Sequence, residues 1–312
     1  GAGLYLSLGI LMGIAQSSVS HVVVLGAVGK AVPLKRRSSI FGMVCAISSL
    51  GTVLIVPAVQ WLLSSIGWRQ SLTFISASTL GIVAFASCLP RHSKNKALSF
   101  ESGQTNGNSF SKNLISAYHH RGYLLLNLGF FVCGFHVTFI AMHLPAYLMD
   151  NGLPPMLSAS VLSLIGLFNV FGSSAFGFLG DRFRKKILLS MLYFSRAVLI
   201  TLFLIIPLSE ISALVFGGAI GFLWLATVPL TSGIVAQIFG SKYLSTLYGI
   251  VFFSHQLGSF SGVWLGGWIY DTTGSYQGVW MIAIVLGVLS SLVHLPINDC
   301  PTHQKDHSLH RQ

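Results

Sequence analysis

The chain has 312 residues, 53% of them hydrophobic and only 8% charged, against about 25% charged in an ordinary soluble domain. A soluble core of this length cannot hide so much apolar surface, so the bilayer is read as the solvent. The formal charge of +11 does not point to nucleic acid, because the basic residues sit in short clusters between apolar runs and are not interleaved with aromatics on one face.

A bilayer core about 30 Å thick takes about 20 helical residues, and on that ruler nine apolar runs qualify, near 4–28, 40–65, 71–89, 122–148, 158–179, 187–207, 212–238, 246–269 and 277–297. The first repeats Gly9, Gly13, Ser17 and His21 every fourth residue, with Gln16 beside them. Such a stripe serves close helix packing or a polar lining equally well. The long polar stretch 90–121, with RHSKNK, ESGQTNGNSF and HHR, reads as a linker between two bundles. The fourth run places His136 and His143 seven residues apart, on one helix face. Imidazole at such a place binds an anion, carries a proton or makes a plain interhelical hydrogen bond.

On the fifth run Gly166, Asn169, Ser173 and Gly177 recur at spacings of three or four, a face turned toward protein. The sixth carries Arg196 at its midpoint. A central arginine costs about 2.5–3.5 kcal/mol even on a lenient insertion scale, and no acid lies in any span to neutralise it. A carboxylate substrate is a natural partner because the guanidinium fork matches it bidentately; backbone carbonyls are the structural alternative. The eighth run places His255 and Gln256 centrally, above a stripe of Gly258, Gly262 and Gly266.

Charge sets the topology. Sixteen of the eighteen Lys and Arg fall on one side of the spans, with Arg69 alone opposite and Arg196 within. The basic side is then cytoplasmic, the first run starts outside and the C-terminal tail 298–312 ends inside, in the plasma (inner) membrane. The seven acids, Glu101, Asp150, Asp181, Glu210, Asp271, Asp299 and Asp306, all lie in loops or at ends, so any proton coupling falls to a histidine or to helices outside this chain. Cys45, Cys88, Cys133 and Cys300 form no CxxC pair and support neither a disulfide framework nor a metal site. No cofactor is expected.

An offset of 207 residues superposes Phe41-Gly42 on Tyr248-Gly249, Leu50-Gly51 on Leu257-Gly258, Trp61 on Trp268 and Gly67 on Gly274. Three helices before the linker thus match the last three of the six after it. The chain opens on Gly1 without a Met and reads as a fragment from which three helices of a twelve-helix whole are missing. By itself it is not expected to transport.

The stretch GFLGDRFRKK, 177–186, resembles the cytoplasmic signature loop of the major facilitator superfamily: a Gly, an Asp-Arg pair and a basic run between the second and third helices of a bundle. The family's usual Gly before the basic run is absent. PLKRRSSIFGMV at 33–44, GWRQ at 67–70 and, more loosely, FFVCGFHVTFIAMHLPAYL at 130–148 resemble the monocarboxylate-porter and oxalate/formate-antiporter branch. That resemblance implies an all-α membrane protein of the major-facilitator type, with 1–89 the last three helices of the N-terminal bundle, 90–121 the linker and 122–297 the C-terminal bundle. It implies a monomeric secondary transporter for a small organic anion, working by alternating access; efflux of amphipathic metabolites is the alternative within the same fold. Substrate contacts are expected at Arg196, His136, His255, Gln256 and Asn169, and gating at Gly177, Asp181 and Arg182, where acid and base meet neighbouring helix ends. The charged residue that this branch commonly places on the run 158–179, and the lysine of oxalate antiporters on 246–269, are both absent. No HExxH, GxSxG or paired intramembrane acid supports an enzyme.

Overall fold

The structure, a computed structural model, describes residues 5–11, 13–15, 20–88, 115, 117–240 and 244–299. Gln16 and Ser17, and almost all of the linker, lie outside them. A π-helical turn, Tyr5–Leu11, comes first, followed by α1 (His21–Ala31), a 3-10 turn (Leu34–Arg36) and α2 (Arg37–Cys88). Then come α3 (Arg121–Asp150), α4 (Pro155–Arg182), α5 (Lys185–Ile205), α6 (Glu210–Leu223), α7 (Thr227–Phe239), α8 (Leu244–Thr273) and α9 (Gln277–His294). There is no strand among the described residues.

The expected spans from 40–65 onward fall on helices, with two departures. Six spans among the described residues are long and apolar enough to cross a membrane, not nine; α8 is not one of the six, diluted by Ser254, His255, Gln256 and Ser259. The run 212–238 is not one continuous helix: it breaks at 224–226 into α6 and α7, although Glu210–Phe239 remains a single span of 30 residues.

Two compact units result, Gly1–Val53 together with Ala117–Gln312, and Leu54–Ser116. Within the smaller one α2 is interrupted at Gly67, whose φ of 77° and ψ of 169° leave the helical region. Gly274, its counterpart at the 207-residue offset, ends α8 with φ of 68°. Positive φ costs glycine nothing and other residues about 1–2 kcal/mol, so both matched glycines sit where the chain must turn.

In the larger unit α3 lies along α8, α6 along α4 and α9 along α5. Its core is aromatic: Trp280 meets Phe139 edge-on at 4.7 Å, and Phe203 stacks on Phe216 at 4.1 Å. Side chains such as Ile205, Ile211, Phe253, Phe260 and Trp264 point outward and are more than half exposed. Such outward apolar side chains suit helices surrounded by hydrocarbon.

Candidate functional site

Two polar constellations stand out against this apolar background, one at the basic helix ends and one halfway along the helices.

At the basic ends, the C-terminus of α4 meets the N-terminus of α2. The first N–H groups of a helix have no partner within it, and here Asp181 supplies one from another helix. Its Oδ1 accepts the Ser38 N–H at 3.0 Å, and its Oδ2 accepts the Ser39 N–H at 3.0 Å and the Ser39 hydroxyl at 2.5 Å. The carboxylate also lies at the positive pole of the α2 dipole. Close approach is allowed because Gly42 and Gly177 face each other: a Cβ at 42 would sit 2.3 Å from the Ser173 carbonyl, and one at 177 would sit 2.7 Å from the Ser38 carbonyl.

Arg182 does not pair with Asp181. It lies exposed over the Phe178 ring, 4.3 Å from the centroid. The basic run turns to the end of α9 instead: Lys186 Nζ donates to the carbonyls of Leu295 and Ile297 at 3.0 and 2.8 Å, and Arg184 pairs with Asp299 at 3.0 Å. Lys185 donates to Gln237 at 3.3 Å. Cations at a helix C-terminus complement its dipole.

The second constellation surrounds the break between α6 and α7. Pro229 has no N–H, and Val228 donates to Leu225 as a 3-10 bond of 3.0 Å, so the Trp224 carbonyl loses its ordinary partner. Arg196 fills the gap. Its Nη2 donates to the Leu223 carbonyl at 2.6 Å and to that of Trp224, and its Nη1 reaches Cys133 Sγ at 3.5 Å. Cys133 in turn contacts Thr227 Oγ1 at 3.1 Å. From the other side Asn169 Oδ1 accepts the Leu225 N–H at 2.8 Å, while its Nδ2 donates to Ser49 Oγ on α2 at 2.6 Å. Arg196 and Asn169 are each 1% exposed. No acid pairs with Arg196 among the described residues, and its Nε–H meets no acceptor there.

The histidines fall in different places. His136 is buried between α3 and α9, with Nε2 bonded to the Ala283 carbonyl at 2.7 Å. His143 Nε2 holds the Val263 carbonyl on α8 at 3.0 Å. His255 stacks on Phe252, with ring centroids 5.1 Å apart, and shares its Nδ1 with Gln256 Oε1 at 3.2 Å. Gln256 itself is exposed. On the neighbouring α1, which packs on α8 through Gly26 against Ser245, His21 Nε2 has no partner among the described residues. The glycine stripe of α8 is spent on packing: a Cβ at Gly258 or Gly262 would strike the Phe131 or Phe135 carbonyl of α3 at 1.9 or 2.6 Å.

The structure therefore joins Arg196 and Asn169 at one break and Gly177 and Asp181 at one helix contact, while His136 spends its Nε2 on the Ala283 carbonyl. Sequence reasoning missed Ser38, Ser39 and Ser49, as well as Cys133 and Thr227. Ser38, Gly42, Cys45 and Ser49 recur at helical spacing on α2, and Pro229 inside a span marks the break; both were legible signals.

A sequence model described as Major Facilitator Superfamily matches residues 2–230. Over 319 aligned residues the chain is 25% identical to monocarboxylate transporter 12 of Mus musculus, covering 93% of this chain and 65% of that protein. It is 26% identical over 305 residues to monocarboxylate transporter 13 of Rattus norvegicus, covering 93% and 67%. An uncharacterized MFS-type transporter of Bacillus subtilis, YcxA, is 30% identical over 177 residues, covering 55% of this chain and 43% of the relative. The chain thus spans about 65% of the length of the first of these relatives.

Proposed function

The chain belongs to the Major Facilitator Superfamily, and from that premise we propose that it works in secondary transport, moving a small organic anion of the monocarboxylate kind by alternating access. One observation carries the choice of an anion. Arg196 is fully buried with no acid partner among the described residues, so its charge is offset only in part by the carbonyls at the C-terminal end of α6. A carboxylate entering the centre of the unit meets an incompletely compensated positive field in a low dielectric. The names of the relatives, monocarboxylate transporters 12 and 13, support the same class.

In this reading Arg196 supplies the field and holds the break. Gln256 and His255, the former exposed, contact the substrate, and Asn169 holds the break through the Leu225 N–H. His136, tied to a carbonyl, supports the bundle. The described acids all sit at helix ends, so a proton carried with the substrate is taken by an imidazole, His255 being the best placed. The basic ends are cytoplasmic, and the contact of Asp181 with Ser38 and Ser39 is the cytoplasmic gate in its closed form.

The test is uptake of a panel of labelled small carboxylates by the full-length protein in proteoliposomes, with and without a proton gradient, and with Arg196→Gln alongside. Saturable uptake that Arg196→Gln abolishes while the variant stays folded supports the reading. Absence of uptake for every carboxylate overturns it and favours larger amphipathic compounds.

A further inference from the structure

The polar bonds around Asn169 form a continuous chain between two helices that alternating access must separate, which no single bond reveals. Ser49 Oγ donates to the Cys45 carbonyl of its own helix at 2.8 Å. Its proton is thus committed, and its remaining lone pair accepts Asn169 Nδ2 at 2.6 Å. The amide orientation is fixed by chemistry, since Leu225 N–H can only donate to the carbonyl oxygen, Oδ1, at 2.8 Å. Beyond Leu225 lie the Leu223 and Trp224 carbonyls, held by Arg196. Ser49, Asn169 and Arg196 are each buried.

We propose that Asn169 is a positioning residue that couples the α2–α4 contact to the geometry of the 224–226 break. While Ser49 holds the amide nitrogen, the amide oxygen is aimed at Leu225 N–H and the break keeps its shape. When α2 leaves α4, the nitrogen loses its acceptor, the amide turns, and Leu225 N–H is released together with the carbonyls that place Arg196. The gate and the arginine are thereby linked through one rotatable side chain, which makes Arg196 sense which state the protein occupies. The functional meaning rests on the alternating-access reading; the bond chain itself does not.

The test is hydrogen exchange of the 224–227 amides in substrate-free protein in nanodiscs, which needs no transport and so stands apart from the uptake experiment. Ser49→Ala removes only the far end of the chain, on another helix from the one observed. Exchange at 224–227 rises about three- to tenfold, the value expected for loss of one net hydrogen bond, with α5 and α9 unchanged. Ser49→Thr, which keeps the hydroxyl, retains wild-type exchange, and Ser174→Ala, on the same helix as Asn169 with its hydroxyl bonded within α4 to the Val170 carbonyl, does likewise. Wild-type exchange at 224–227 in Ser49→Ala overturns the coupling, whatever Asn169→Ala does. A rise in Ser49→Ala spread equally over α5 and α9, or a rise in Ser49→Thr matching that in Ser49→Ala, overturns it as well.

Discussion

Replacing Asp181 by Asn keeps the shape of the side chain and removes its charge, and the effect can be worked from the contacts. The carboxylate accepts two backbone N–H groups and one hydroxyl at the start of α2. Asn offers one acceptor oxygen, so one N–H is left facing an NH2 group and the other keeps a neutral bond. A charge-assisted bond is worth about 1.5–3 kcal/mol net and a neutral one about 1, and Asp181 is only partly buried, so the lower end applies: roughly 2 kcal/mol, about 30-fold in the population of separated helix ends. Cys45 reports it. Its thiol is 0% exposed on the same face of α2 as Ser38, Gly42 and Ser49, so maleimide labelling, followed peptide by peptide in mass spectra, tracks separation. Labelling of Cys45 is expected to rise about 30-fold in Asp181→Asn, with Cys133, inside the bundle, still protected. Equal Cys45 labelling in variant and wild type would refute the reasoning.

Other substitutions separate the remaining assignments. Gly42→Val places a Cβ 2.3 Å from the Ser173 carbonyl, so the ends of α2 and α4 cannot meet and Cys45 labels at least as fast as in Asp181→Asn. His136→Ala loses a buried bond and leaves a cavity, costing about 2–4 kcal/mol of stability; Tm falls while KM for uptake stays within about twofold. His255→Gln does the reverse, moving KM and the pH dependence of uptake with little change in Tm. Arg184→Ala breaks an ion pair whose arginine is 60% exposed, worth about 0.2–1 kcal/mol, and leaves both Tm and uptake close to wild type.

Much of the architecture could be read from residue patterns because hydropathy and loop charge act locally. The helix at 158–179 and the basic loop after it needed no tertiary information, whereas the offset that pairs Gly67 with Gly274 did not by itself tell that both stand at positive φ. What could not be read depends on which atoms of distant helices meet. Arg196 was visible as an expensive residue, yet whether it would meet a carboxylate or a carbonyl depended on a helix break that begins 28 residues away, produced by Pro229 and completed by Arg196 itself. Asp181 was visible in the signature loop, but its partners, two backbone N–H groups and the Ser39 hydroxyl, lie on a helix more than 140 residues away in the chain. His136 and His255 look alike in sequence, each central to an apolar run. Both are buried, and only the packing of α9 against α3 gives one of them a carbonyl on the neighbouring helix.

The central claim is that the closed basic ends must open for the protein to work, and a reversible staple tests it most directly. A Cβ built at Gly180 lies 3.2 Å from the Ser38 Cβ, close to the separation of about 3.5–4.5 Å that a disulfide spans, and Ser38 meets the Asp181 carboxylate through its backbone N–H and not through its side chain. With Ser38→Cys and Gly180→Cys oxidised, carboxylate uptake into proteoliposomes is expected to stop and to return on reduction. Undiminished uptake by protein shown in mass spectra to be fully cross-linked would contradict the account.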